Sequence, residues 1–214
     1  NNISKDVTDL YILGDLFEYW VGDDDPMDDL NETRTSITML GSKINIWYMH
    51  GNRDFLISKK ICKDLNMKLL KDPTVILKNE LKLLLLHGDT LCTDDKEYQN
   101  FRSLVRSEEW QTKMLSKSLE ERLSYAENLR MKSINANAHK DENIMDVNIR
   151  EIDLLIDNYK PDIIIHGHTH RPNIHTHESE EKNIYRYVLG DWYDRFFILS
   201  LKNRGFVVSK GNLK

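Results

Sequence analysis

Three scarcities in the 214-residue sequence exclude whole classes of protein. Two cysteines, Cys62 and Cys92, exclude a disulfide scaffold and a zinc module built on cysteine. Nine glycines and four prolines exclude a collagen-like or low-complexity chain. No apolar run approaches the roughly 20 residues that a membrane-spanning helix requires. The sequence therefore predicts a globular, intracellular protein of a reducing compartment.

An excess of basic residues is also missing. The chain has 30 Lys and Arg residues against 35 Asp and Glu residues, and its formal net charge is -5. Because nucleic-acid-binding domains carry a positive excess, we expect no nucleic-acid partner. The 40% hydrophobic and 30% charged residues are typical of a globular chain. The length predicts a single domain over 1–214.

What the sequence does contain is a repeated pattern in which an apolar strand ends at glycine and polar residues. The pattern occurs four times, at Gly14-Asp15, His50-Gly51-Asn52-Arg53-Asp54, His87-Gly88-Asp89 and His166-Gly167-His168-Thr169-His170. In α/β sheets the loops at the carboxyl ends of strands form the ligand sites, and glycine lets the backbone approach a ligand closely. The pattern therefore predicts an α/β fold with one functional edge.

The segment 96–150 has a different character. It contains no glycine and no proline, and its apolar residues recur at helical spacing. Its flanks run directly into the motif loops. We therefore predict a helical insertion within the single domain, and Pro161 predicts the return to sheet.

The polar residues of the four loops form a mixed set of carboxylate, amide and imidazole donors. The candidate metal ligands are Asp15, Asn52, His87, His166 and His168. Hard oxygen and borderline nitrogen donors suit Mn, Fe or Zn better than Ca, and one Asp can bridge two cations. The pattern favours a two-metal hydrolase.

Three other histidines have simpler interpretations. His50 is expected to be structural, because it precedes Gly51-Asn52 and points back toward its strand. His175 and His177 are expected to be surface residues of a polar loop. A lone Gly-Asp after a strand is most often only a turn, so the functional interpretation depends on all four loops together.

The four loops are similar to the motifs of the calcineurin-like metallophosphoesterases. That family has an Asp-x-His motif followed by Gly-Asp, Gly-Asn, a His and Gly-His-x-His. Longer blocks, 10–25, 50–56, 87–95 and 166–172, resemble the family of UDP-2,3-diacylglucosamine pyrophosphatases of lipid A biosynthesis. The resemblance implies a two-sheet metallophosphoesterase sandwich flanked by helices, with a helical lid at 96–150. It also implies hydrolysis of the pyrophosphate of the nucleotide-linked glycolipid.

The resemblance implies a role for each matched residue. Asp15 would bridge two Mn²⁺ ions, with Asn52, His87 and His166 completing one site and His168 belonging to the other. The implied catalytic residues, which also contact the substrate, are Asn52, Arg53 and His166. Arg53 would hold a phosphate oxygen, for which a guanidinium fork is suited.

The resemblance extends to the lid. Asp95 matches a substrate-contacting position, and Ser133, Asn137 and Lys140 reproduce the spacing Ser-x3-Asn-x2-Lys of a polar stripe along one helix face. Weaker candidates for the same cleft are Tyr98, Phe101 and Arg130. Alone, this segment favours a solvated helical pair with an ordinary core stripe, and only the metal motifs on either side favour the lid.

The family's Asp-x-His motif has no match within 1–10. One of the two metal sites is therefore expected to lack two ligands, and the chain as written is expected to be at most weakly active. Two alternatives to the lipid A enzyme remain open: an inactive, metal-poor glycolipid-binding relative, and another phosphodiesterase on the same scaffold.

The substrate class implies where the protein works. A substrate with two acyl chains implies peripheral contact with the cytoplasmic face of the inner membrane. No motif indicates an obligate protein partner.

Overall fold

A computed structural model describes residues 6–26, 30–137, 144–179, 182–202 and 205–213, with the backbone alone at 134–137. The chain divides into two compact units. Unit 1 comprises 1–71 and 95–142, and unit 2 comprises 72–94 and 143–214.

Unit 1 contains a parallel three-stranded sheet. Strands β1 (Asp9–Leu13), β2 (Asn45–Met49) and β3 (Met67–Leu69) lie in that order, and Leu13 of β1 is in register with Met49 of β2. Apolar strand residues pack with helices α1 (Asn31–Gly41) and α2 (Lys59–Asp64). The core includes Phe17, Trp20, Ile46, Tyr48 and Ile61. The matched ends of β1 and β2 place their following loops side by side.

Three further helices of unit 1 occupy most of the predicted insertion. They are α3 (Lys96–Val105), α4 (Glu108–Leu115) and α5 (Leu119–Asn137). Side chains cap the first two at their N-termini: Asp95 accepts a hydrogen bond from the Tyr98 N–H at 3.0 Å, and Ser107 accepts one from the Trp110 N–H at 3.3 Å. Such caps satisfy N–H groups that have no partner inside the helix.

Unit 2 contains a mixed five-stranded sheet. Its strands are β4 (Thr74–Lys78), β5 (Leu81–Leu86), β6 (Ile163–His166), β7 (Asn173–Glu178) and β8 (Asn183–Val188). They lie in the order β4-β5-β6-β8-β7, with β5, β6 and β8 parallel and the outer two antiparallel to their neighbours. The parallel strands β5 and β6 are nearly continuous Leu and Ile runs, as strands buried on both faces require.

Helix α6 (Ile149–Tyr159) forms the core of unit 2 with this sheet. Ile152 and Ile156 of the helix pack with Leu84, Leu86 and Ile164 of the strands. The strands β9 (Arg195–Lys202) and β10 (Gly205–Asn212) pair as an antiparallel hairpin. In the part of the chain that the structure describes, no helix has the length and apolar character needed to cross a membrane.

The predicted α/β class is confirmed, and in place of the two predicted sheets the described residues form three, of three, five and two strands. The four predicted strand-and-glycine elements are β1, β2, β5 and β6. The placement of His175 and His177 in a polar loop was wrong, since both lie on β7, and they are half-buried. The organisation as one domain with a lid insertion stays a prediction.

Candidate functional site

In unit 1 the loops after β1 and β2 are joined by one buried carboxylate. Asp54 is fully buried, and it accepts hydrogen bonds from the backbone N–H groups of Leu16 at 2.7 Å, Gly51 at 2.8 Å, Asp15 at 3.3 Å and Phe17 at 3.4 Å. An ionised acceptor forms the stronger class of hydrogen bond. Asp54 therefore fixes the backbone that presents Asp15 and Asn52, a role that was not predicted from the sequence.

The backbone at this junction leaves no room for another side chain. Asp15 adopts a left-handed conformation with φ of 53°. A Cβ atom at position 51 would lie 2.1 Å from Asp15 Oδ1 and 2.2 Å from Asp15 N. Glycine at position 51 is thus required by the close approach of the two loops.

Arg53 lies beside the Asp15 carboxylate. Its backbone N–H donates to Asp15 Oδ1 at 3.0 Å, and its Nε atom lies 3.7 Å from Asp15 Oδ2. The guanidinium also donates to Glu18 at 2.9 Å, and Glu18 forms an ion pair with Arg130. Two partly exposed arginines therefore converge on one carboxylate, next to a predicted metal ligand. Glu18 was not predicted.

Arg106, the residue that follows α3, contacts the loop after β2. The Arg106 guanidinium donates to the Gly51 carbonyl at 2.8 Å and lies over the Phe55 ring, 4.8 Å from its centre. Asn52 is half-buried in this loop. The His50 ring is hydrogen-bonded to the Ile57 carbonyl oxygen at 2.7 Å, in line with the expected structural role.

In unit 2 the predicted imidazoles cluster at the ends of β5 and β6. The rings of His87 and His168 meet edge to face, with centres 5.1 Å apart. The Gly167 N–H donates to the His87 carbonyl at 2.9 Å, and this bond ties the two loops together. His168 and His170 both adopt left-handed backbone conformations, with φ of 66° and 54°.

The state of these imidazoles fits metal binding. Burial, with the neighbouring His87, lowers the pKa of His168 to about 3, so its ring is neutral at pH 7. A metal ligand must be the neutral imidazole, with a nitrogen lone pair available. Burial keeps one of the two neighbouring rings neutral, and a backbone hydrogen bond fixes their loops. The rings therefore form a suitable nitrogen donor set for a transition metal.

His166 differs from the two other predicted histidines. It is fully buried, and Arg186 Nη1 donates to its Nε2 at 3.0 Å. Since arginine can only donate, the His166 proton is on Nδ1, which donates to the Gly167 carbonyl at 3.0 Å. Burial lowers the pKa of His166 to about 4. Both ring nitrogens are therefore engaged within unit 2, which disagrees with a direct ligand role for His166.

His170 is the residue that the Gly-His-x-His pattern offers instead. It is half-buried, and its Nδ1 lies 3.6 Å from Asp191 Oδ2. His170 is the second histidine of the Gly-His-x-His motif in the sequence, whereas the pair predicted from the sequence was His166 and His168.

The predicted lid residues separate into described and undescribed ones. Ser133 is exposed on α5, and Asp95 is buried as the N-cap of α3. The side chain of Asn137 and the whole of Lys140 lie outside the described residues. Phe101 is exposed and Tyr98 half-buried on α3.

Comparisons with known proteins cover both units of the chain. The model of the family "calcineurin-like phosphoesterase" matches residues 1–172, which include all four motif loops. A UDP-2,3-diacylglucosamine hydrolase of Aromatoleum aromaticum is 41% identical over 194 residues, which are 89% of this chain and 78% of that relative. Another from Sodalis glossinidius is 40% identical over 200 residues, 93% of this chain and 82% of that relative. The solved structure of an archaeal phosphodiesterase covers 97% of this chain and 84% of its own, with 14% identity and a TM-score of 0.48.

Proposed function

We propose, from the premise that this chain belongs to the calcineurin-like phosphoesterases, that it hydrolyses UDP-2,3-diacylglucosamine. The chain is a hydrolase of a metal-dependent family, and the observation that supports this substrate is the identity of about 40% to hydrolases of that name over most of the chain. Water would add to the α-phosphorus and the phosphoanhydride bond would break, giving UMP and 2,3-diacylglucosamine 1-phosphate for lipid A biosynthesis. The inactive relative and the other phosphodiesterase are not favoured.

The proposed metal ligands are Asp15, Asn52, His87 and His168, with His170 in place of the predicted His166. This choice is supported by the family pattern and by the engagement of both His166 nitrogens. A bound divalent metal would supply Lewis acidity, which lowers the pKa of water and neutralises phosphoryl charge. Two Mn²⁺ ions are the proposed cofactors.

Arg53 is proposed to bind a phosphate oxygen of the substrate. Its backbone N–H and its guanidinium are both held by carboxylates, of Asp15 and Glu18, so the fork is positioned before an anion arrives. Arg130 shares the Glu18 carboxylate and is proposed to bind the same phosphates. A planar guanidinium binds phosphate in a bidentate manner, which lysine does not.

The lid residues Ser133, Asn137 and Lys140 are proposed to contact the glucosamine and its phosphate, and Asp95, a predicted contact, is proposed to position helix α3 for them. Asp95 acts on the cleft through helix α3, because its carboxylate caps the N-terminus of that helix. Replacement of Lys140 by alanine should lower kcat/KM about 10- to 100-fold, the loss of one charge-assisted contact of about 1.5–3 kcal/mol. Unchanged kinetics would remove Lys140 from the proposal.

A peripheral position on the cytoplasmic face of the inner membrane is proposed from the two acyl chains of the substrate. It is supported by exposed apolar side chains on the helices of unit 1, namely Leu104, Leu115 and Met131. Co-sedimentation with phospholipid vesicles measures it. Equal binding by the chain and by a variant with all three replaced by glutamate would contradict these residues as the contact.

One experiment tests the reaction and the metal site together. Purified chain is incubated with Mn²⁺ and UDP-2,3-diacylglucosamine, UMP release is measured, and bound metal is determined by elemental analysis. Asp15→Asn should lower both bound metal and UMP release. The matched control is Asp157→Asn on the exposed side of α6, which should change neither. Full metal content in Asp15→Asn, or UMP release by Asp15→Asn equal to that of the unaltered chain, would refute the proposal.

A further inference from the structure

Arg186 is a buried arginine of unit 2 that donates hydrogen bonds to imidazoles. It lies on β8 with 3% of its surface exposed. In the part of the chain that the structure describes, its hydrogen bonds go to two imidazoles, from Nε to His177 Nε2 at 3.2 Å and from Nη1 to His166 Nε2 at 3.0 Å. The nearby Asp146 carboxylate is paired with Arg171 at 3.0 Å. A buried charge without a directly paired opposite charge is costly.

The strand register explains how one side chain reaches both rings. Arg186 is opposite His175 on β7 and opposite Ile164 on β6. His177 and His166 are each two residues further along those strands, on the same face, at the diagonal positions that long side chains can reach. The guanidinium therefore links the last residue of β6 to the edge strand β7.

The consequence for His166 is a single tautomer. Arginine has no acceptor, so Nε2 of His166 must accept and Nδ1 must carry the proton. The Nδ1–H donates to the Gly167 carbonyl. The Gly167 N–H donates to the His87 carbonyl, and the Thr169 N–H donates to the Gly167 carbonyl at 2.8 Å.

We propose that Arg186 is a positioning residue for the metal-binding loop. Its guanidinium fixes the tautomer and orientation of the His166 ring, and that ring holds the peptide between Gly167 and His168. The inference rests on the proposed function in one respect, because it takes His87 and His168 as ligands. Residues behind the direct ligands commonly affect metal affinity about 10- to 100-fold.

The tautomer of His166 is measured first, by NMR of metal-free protein with ¹⁵N-labelled histidine. The His166 signals are assigned by their loss in His166→Gln. We expect a proton on Nδ1 and a bare Nε2 in the unaltered chain. In Arg186→Met the proton should move partly or fully to Nε2, whereas Arg186→Lys, which still donates one hydrogen bond, should retain the Nδ1 tautomer. An Nε2-protonated ring in the unaltered chain would overturn the inference without any variant.

Metal affinity is measured next, by titration of Mn²⁺ into the same metal-free proteins. Arg186→Met should weaken binding about 10- to 100-fold, with partial recovery in Arg186→Lys. The matched control is Arg150→Met, which removes an exposed arginine of α6 and should change affinity less than about twofold. Circular dichroism confirms that each variant is folded.

The outcomes separate the two proposals. Equal Mn²⁺ affinity in the unaltered chain and a folded Arg186→Met would overturn the positioning role while leaving the metal site intact. An unaltered chain that binds no Mn²⁺ would refute the proposed function, and the His166 tautomer would still decide whether Arg186 holds the ring. If Arg186→Met does not fold, Arg186→Lys must show weaker Mn²⁺ binding than the unaltered chain.

Discussion

Replacement of Asp54 by asparagine should lower the free energy of unfolding of unit 1 by about 2–4 kcal/mol, because two short hydrogen bonds to its carboxylate would be weakened or lost. The fully buried carboxylate accepts from two backbone N–H groups at short range, those of Leu16 at 2.7 Å and Gly51 at 2.8 Å. Two longer hydrogen bonds come from Asp15 and Phe17. The substitution keeps the size of the side chain, removes its charge and replaces one acceptor oxygen by an NH₂ donor.

The magnitude follows from the two short hydrogen bonds. A bond to an ionised group contributes about 1.5–3 kcal/mol, roughly twice a neutral one. One of the two would keep its oxygen acceptor and lose about 1 kcal/mol with the charge. The other would face an amide NH₂ group and leave a buried N–H without an acceptor, at about 1–3 kcal/mol.

Urea unfolding followed by tryptophan fluorescence measures this loss. Trp20, Trp47 and Trp110, three of the four tryptophans, are in unit 1. The control is Asp64→Asn at the exposed end of α2, which should stay within about 0.5 kcal/mol of the unaltered chain. A loss below about 0.5 kcal/mol in Asp54→Asn would show that the backbone N–H groups do not depend on the carboxylate.

Two further substitutions test the packing of unit 1. Gly51→Ala should lower the unfolding free energy by about 1–3 kcal/mol and weaken Mn²⁺ binding, because the alanine Cβ would lie 2.1 Å from Asp15 Oδ1. Urea unfolding and Mn²⁺ titration measure both effects, and curves equal to those of the unaltered chain would contradict the close approach. Arg122→Met should destabilise by about 1–3 kcal/mol, since the buried guanidinium donates to the Val21 carbonyl at 2.7 Å and pairs with Asp24. The Arg122 hydrogen bond lowers the pKa of Asp24 below its ordinary 3.8. The stability that the ion pair contributes is therefore present above pH 3.8 and is lost as the pH falls through the lowered pKa. A stability difference between Arg122→Met and the unaltered chain that does not shrink in acid would contradict this pH dependence.

The strands and motif loops were predictable because their signals are local. Four strands are apolar runs followed by a glycine, namely β1, β2, β5 and β6. Within each sheet, the carboxyl ends of neighbouring parallel strands lie at the same edge. The identity of Gly51 as a packing requirement could not be predicted, because it depends on the distance to Asp15.

Residues that act across strands were the ones missed. Asp54 and Arg186 contact residues of other elements, and no spacing in the sequence relates Arg186 to His166. His175 and His177 were assigned to a loop because their segment is almost entirely polar, which an edge strand also allows. In the helices, Val105 is buried but Leu104 and Leu115 are exposed, so not every apolar residue at helical spacing faces the core.

Three proposed metal ligands, Asp15, His168 and His170, share left-handed backbone conformations. That conformation costs a residue with a side chain about 1–2 kcal/mol, and glycine almost nothing. Selection of a random library for stability alone should therefore enrich glycine at these three positions and remove the donor atoms with it. The backbone conformation of these loops therefore serves metal binding at a cost in folding stability. A more stable variant at these positions should bind metal less tightly.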